Sequence, residues 1–85
     1  MSTETQTIKD AVRNYLQEKC LPPGESLTVS DTESLSEKGV VNSFALLELV
    51  SWIESEFNLS VDNSDLESDK FDTVESITNY IQNNQ

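Results

Sequence analysis

The stretch Gly39-Val40-Val41-Asn42-Ser43-Phe44-Ala45-Leu46-Leu47-Glu48-Leu49-Val50 decides how this chain reads. A glycine turn releases two apolar residues, then an asparagine and a serine, and then a strongly helical run begins. Asn42 is a good N-cap, so a helix is expected from Ser43 to Phe57. That order places the Ser43 hydroxyl at the mouth of the helix. Unpaired backbone N–H groups and the positive end of the helix dipole favour negative charge there. A phosphate esterified to Ser43 would sit well in such a place.

At about 100° per residue, Leu46, Leu49, Val50, Ile53 and Phe57 fall on one arc, the width expected of a core face. Phe44 and Leu47 fall on the far side, interleaved with Ser43, Glu48, Ser51 and Glu54, while Trp52 sits on another flank. Single exposed apolar residues are ordinary. Two of them beside a helix-mouth serine and two acids read as a docking face.

Upstream, Leu21 to Val41 is a long connection rich in Ser, Thr, Asp and Glu. Leu27 and Leu35 are expected to pin it to the core, and a connection of this length needs a structural reason. It frees the flanking helices from the antiparallel pairing that a short loop imposes. Leu27-Thr28-Val29 alternates, but no second alternating run exists to pair with it, so no sheet is expected. Before it, Ile8, Ala11, Val12, Tyr15 and Leu16 have the spacing of one buried helical face. Thr3 and Gln6 fit a capping box that opens this helix near Glu4. Pro22-Pro23-Gly24 ends it, with Cys20 read as a small packing residue at the exit.

Downstream, Ser64 and Glu67 have capping-box spacing for a single helical turn anchored by Leu66. Asp72 with Glu75 is expected to open the last helix, with Val74, Ile77 and Ile81 buried, Tyr80 beside them and Phe71 as a staple. The sum is an all-α, four-helix bundle with three main helices, a short one before the last, and a long first loop. It forms one domain over 1–85, with frayed ends at 1–4 and 83–85, and is expected to be a monomer.

The charge balance is lopsided, at 16 acids against 5 bases and a net charge of −11. That argues against nucleic-acid partners and anionic membrane surfaces, and for partners with basic docking surfaces. With one cysteine and no histidine, a disulfide framework is excluded and no metal site is expected. The missing imidazole also removes Ser–His and Cys–His catalysis, so no catalytic residue is expected. No leader and no membrane-length apolar run is evident, which makes a cytoplasmic protein the expectation. Asn58-Leu59-Ser60 matches a glycosylation sequon by chance.

The run GVVNSFALLELVSWIESEF, then Val61, then FDTVESITNYI resembles the acyl carrier and peptidyl carrier protein family. In that family a Gly-x-Asp-Ser-Leu motif opens the second helix, Glu-Leu follows, and Phe-x-Thr-Val opens the last. The likeness covers about Leu35 to Ile81. It implies a carrier whose motif serine, here Ser43, is modified with 4'-phosphopantetheine from coenzyme A by a phosphopantetheinyl transferase. The arm's thiol then holds an acyl or aminoacyl group as a thioester, loaded by a ligase or adenylation enzyme and passed to an acyltransferase or synthase. Such a protein is not an enzyme; it supplies position and effective concentration. Asn42 replaces the family's aspartate and Phe44 its leucine, and both bear on which partners dock.

Glu48, Glu54 and Val61 match positions that family members use against basic partners, and Leu47 and Ser51 share that face. For Glu56, Glu67 and Asp69 a solubility role is preferred. The helix-two run looks more like free-standing carriers of amino acids or unusual starter units, in a polyketide or nonribosomal peptide type of pathway, than like fatty-acid carriers. A fatty-acid synthesis carrier is the alternative within the family. Outside it stands an acidic helical adaptor with no prosthetic group. A calcium sensor built on Asp62 to Asp72 lacks the loop glycine and final glutamate that such a site needs.

Overall fold

The computed structural model describes residues 2–66 and 69–84. Among these residues four α-helices, α1 (Ser2–Lys19), α2 (Ser43–Phe57), α3 (Asn63–Leu66) and α4 (Val74–Asn83), follow in that order. A single 3₁₀ turn at Asp69–Phe71 precedes α4, and the described residues contain no strand. This is the expected all-α bundle with its long first loop. Met1, Glu67, Ser68 and Gln85 lie outside the described residues. The first helix starts at Ser2 and the last ends at Asn83.

The core forms where the helical stripes meet. Ile8, Val12 and Leu16 of α1, Leu49 and Ile53 of α2, and Val74, Ile77, Tyr80 and Ile81 of α4 share one buried cluster. Two residues expected on the α2 core face, Leu46 and Phe57, are only partly buried and pack against that cluster's edge. The α1 and α4 helices lie along each other, and the Thr5 hydroxyl donates to the Gln82 side-chain carbonyl at 2.8 Å. Trp52, on its separate flank of α2, stacks on Tyr15 of α1 with ring centroids 4.6 Å apart.

The first loop is ordered by side chains rather than by a ladder. Gln17 works in both directions: its amide NH₂ donates to the Glu25 carbonyl, and its Oε1 accepts the Leu27 N–H at 2.6 Å. Asp31 takes ion pairs from Lys9 at 2.8 Å and Arg13 at 2.9 Å. Arg13 also donates to the Val29 carbonyl, and the Asp31 carbonyl accepts the Glu75 N–H. The loop is thereby tied to both α1 and α4. Val29 and Leu35 are buried and Leu27 is half-buried, so the expected pins are in place with Val29 added.

Three expected helix starts differ. Since α1 begins at Ser2, Thr3 is inside it and cannot be its N-cap. Asp62, not Ser64, serves α3: its carbonyl accepts the Asp65 N–H and its carboxylate the Ser64 N–H. The Ser64–Glu67 box extends outside the described residues. For α4 the cap is Thr73, which forms a reciprocal capping box with Ser76. Asp72 is withdrawn from that role because its carboxylate accepts from the Ser34 hydroxyl at 2.6 Å and the Ser36 N–H at 3.2 Å. Phe71 then lies two residues before the cap and packs on Tyr80 in the core, not as a staple.

Candidate functional site

Between Ser34 and Val41 the chain makes one helical turn and stops. Gly39 adopts φ +76°, a conformation that costs glycine little and other residues more. The Val40 N–H returns to the Leu35 carbonyl and the Gly39 N–H to the Ser36 carbonyl. That pair of bonds is a Schellman motif, and its apolar partners Leu35 and Val40 both lie in the core. Asp72 locks the turn from outside, with its own carbonyl accepting the Leu35 N–H at 2.7 Å. The Ser34 hydrogen bond, with help from Ser36, holds the Asp72 carboxyl below the usual aspartate range. Buried Val40 and Val41 then deliver the chain to α2.

Asn42 is the N-cap expected from sequence. Its Oδ1 accepts the Ala45 N–H at 2.8 Å and its carbonyl accepts the Leu46 N–H. Ser43 is therefore the first helical residue and is exposed. The amides of Ser43 and Phe44 have no carbonyl behind them in the helix, which leaves the mouth electropositive. An open concavity of about 480 Å³ adjoins it, lined by Ser36, Val41, Asn42, Ser43, Leu46, Leu66, Phe71 and Asp72. Of these, Ser36, Leu66, Phe71 and Asp72 come from segments that give no local sequence sign of meeting Ser43.

The other face of α2 emerges as the helical wheel indicated. Phe44 is 70% exposed and Leu47 57%, the two large apolar side chains left in water among the described residues. Glu48 and Ser51 are exposed beside them. Glu54 is different. It is half-buried and its carboxylate accepts the Val61 N–H at 2.8 Å, fastening the chain after α2. Val61 itself is half-buried against the core. Asn58 ends the helix at φ 54°, a left-handed C-cap that asparagine tolerates. The described residues contain no cluster of metal-ligating side chains.

Residues 6–81 match the family described as "Phosphopantetheine attachment site". The chain belongs to that family. Its members are carriers and not enzymes, and the match brings with it a covalently bound 4'-phosphopantetheine. Comparison with curated proteins returned no match for this carrier. Carriers of this kind interact with phosphopantetheinyl transferases and with synthases or ligases. The residues present suit the group, since an exposed hydroxyl opens a helix whose first amides and dipole accommodate a phosphodiester. No helix among the described residues is long and apolar enough to cross a membrane.

Proposed function

We propose that Ser43 is the residue that carries the 4'-phosphopantetheine arm, and that this carrier presents an acyl or aminoacyl group to partner enzymes in a natural-product type of pathway. The observation that carries the assignment is the position of Ser43. It is an exposed hydroxyl at the first residue of a capped helix, beside an open concavity and next to two exposed apolar side chains. The arm supplies a thiol, and so a thioester link to the cargo.

The chain's own residues do the rest. Asn42 fixes where the helix begins and hence where the hydroxyl points. The Gly39 turn, locked by Asp72, sets the approach to it. Phe44, Leu47, Glu48 and Ser51 offer a partner two apolar contacts and one negative charge within about two helical turns of Ser43. Asn42 belongs to the rim of this surface. Glu54 and Val61, held to each other, extend it as a fixed edge rather than as free groups. Exposed charge contacts are individually weak and salt-sensitive, which suits a carrier that visits several enzymes. The resemblance of the α2 run to free-standing carriers of amino acids or unusual starter units is what favours a natural-product role over fatty-acid synthesis.

The test is intact-mass spectrometry after incubation with coenzyme A and a broad-range phosphopantetheinyl transferase. A single phosphopantetheine adduct is expected on the wild type and none on Ser43→Ala. An adduct that persists in Ser43→Ala refutes the assignment, and no adduct on the wild type favours the adaptor. Intact mass of the protein from its native host then identifies the cargo.

A further inference from the structure

Four of the five bases in this chain are held by acids. Lys9 and Arg13 pair with Asp31, Lys38 pairs with Glu33, and Lys70 pairs with Asp65. Lys19 is the exception: in a chain with 16 acids, it alone of the five has no acidic partner among the described residues. Its place in the last turn of α1 suits that helix's dipole. The ammonium is exposed, so its three N–H donors are open to an approaching partner.

Lys19 does not stand alone. It lines an open hollow between α1 and α2 together with Tyr15, Leu47, Glu48 and Ser51. Glu48 is exposed and likewise makes no ion pair among the described residues. Its negative charge adds to burial in raising the Tyr15 hydroxyl and the Cys20 thiol above their ordinary values, so its field reaches across the hollow onto α1. One unpaired base and one unpaired acid thus share a hollow whose α2 wall, Leu47 to Ser51, is continuous with the face bearing Ser43. Carboxylates are plentiful in the chain, yet none among the described residues has taken Lys19.

We propose that this hollow is a polarity-reading dock for the phosphopantetheinyl transferase, which places a carboxylate against Lys19 and a basic side chain against Glu48. The inference rests on Ser43 being the attachment residue. Leu47 is one helical turn from Ser43, and Glu48 is the next residue, so an enzyme seated on the hollow has the hydroxyl within reach. A uniformly basic surface would satisfy Glu48 but meet Lys19 with repulsion. The pair therefore fixes the direction in which the partner lies across α1 and α2, which bulk negative charge cannot do.

A charge swap tests this. Lys19→Glu/Glu48→Lys leaves the net charge at −11 and the hollow's composition unchanged, and reverses only its polarity. Loading rates are measured with coenzyme A and a broad-range phosphopantetheinyl transferase at low salt, with circular dichroism to confirm an unchanged fold. Each single reversal is expected to raise KM about fivefold with kcat little changed, as rim charges act mainly on encounter. Lys19→Gln should give a smaller rise. The swap should be at least as poor as either single reversal, and all differences should shrink as salt is added. A swap that loads like wild type shows that only net charge is read, and overturns the proposal. So does a Lys19→Glu protein with wild-type KM. In both of these cases the wild type still takes its arm, so the carrier reading survives. A wild type that takes no arm overturns that reading and this inference together.

Discussion

Thr78 is the residue where this fold gives up stability. Its side chain is 1% exposed within α4, and its hydroxyl has no hydrogen-bond partner among the described residues. A buried hydroxyl that has left water for nothing costs about 1–3 kcal/mol, while a methyl of the same shape costs nothing of the kind. Tyr80, two residues on, shows the contrast: its hydroxyl donates to Asp65 at 2.8 Å. Thr78→Val is therefore expected to stabilise the protein by about 1 kcal/mol. Urea denaturation should show a higher midpoint at an unchanged slope. Loading at Ser43 should be unaffected, because Thr78 lines neither the concavity beside Ser43 nor the α1–α2 hollow. A lower midpoint would mean that the hydroxyl is bonded after all.

Among the elements, the turn before α2 controls the site most directly. Gly39 holds φ +76°, and a Cβ added there would meet nothing within 4 Å. The cost of Gly39→Ala is thus conformational, about 1 kcal/mol, and Gly39→Asn should cost less because asparagine tolerates the left-handed region. Denaturant midpoints of the two variants check this ordering. Equal losses would point to a steric cause instead. The helix this turn feeds was legible in the sequence, because Asn42, the Ser43–Phe57 periodicity and the off-face Phe44 and Leu47 are all local signals. The cap of α4 was not. Asp72 and Thr73 are both good caps with usable partners three residues on, and only the distant Ser34 and Ser36, which claim Asp72, break the tie. The same limit hid the order in the first loop, which depends on bonds such as Arg13 to Asp31 that follow no period. Nothing near Glu54 in sequence announces its bond to Val61. Lys19 and Tyr15 reach the α2 face from a different helix, which no local pattern announces.

For the whole molecule the governing quantity is charge. At −11 the folded chain holds its excess acids closer together than the unfolded chain does, and this self-repulsion opposes folding. Salt weakens it, and also weakens the four ion pairs among the described residues, but exposed pairs are worth only about 0–1 kcal/mol each. Repulsion should win, so Tm is expected to rise as sodium chloride is added from low ionic strength. A falling Tm would put the ion pairs first. Acid works in the opposite direction. Lys9 before all else holds the Asp31 carboxyl down, and Ser34 does the same for Asp72, both relative to an ordinary value of 3.8. A carboxyl whose folded pKa is depressed contributes stability above its unfolded pKa and loses it as pH falls through the folded one. These two carboxylates tie the first loop to α1 and to the chain ahead of α4. Stability should therefore hold to about pH 4 and then drop as they protonate. Asp72→Asn should flatten that drop and lower stability at neutral pH, because it leaves the Ser34 and Ser36 donors a weaker acceptor. Thermal melts between neutral pH and pH 3, run on the wild type and Asp72→Asn, measure both effects. Parallel curves for the two proteins would show that Asp72 does not carry the acid sensitivity.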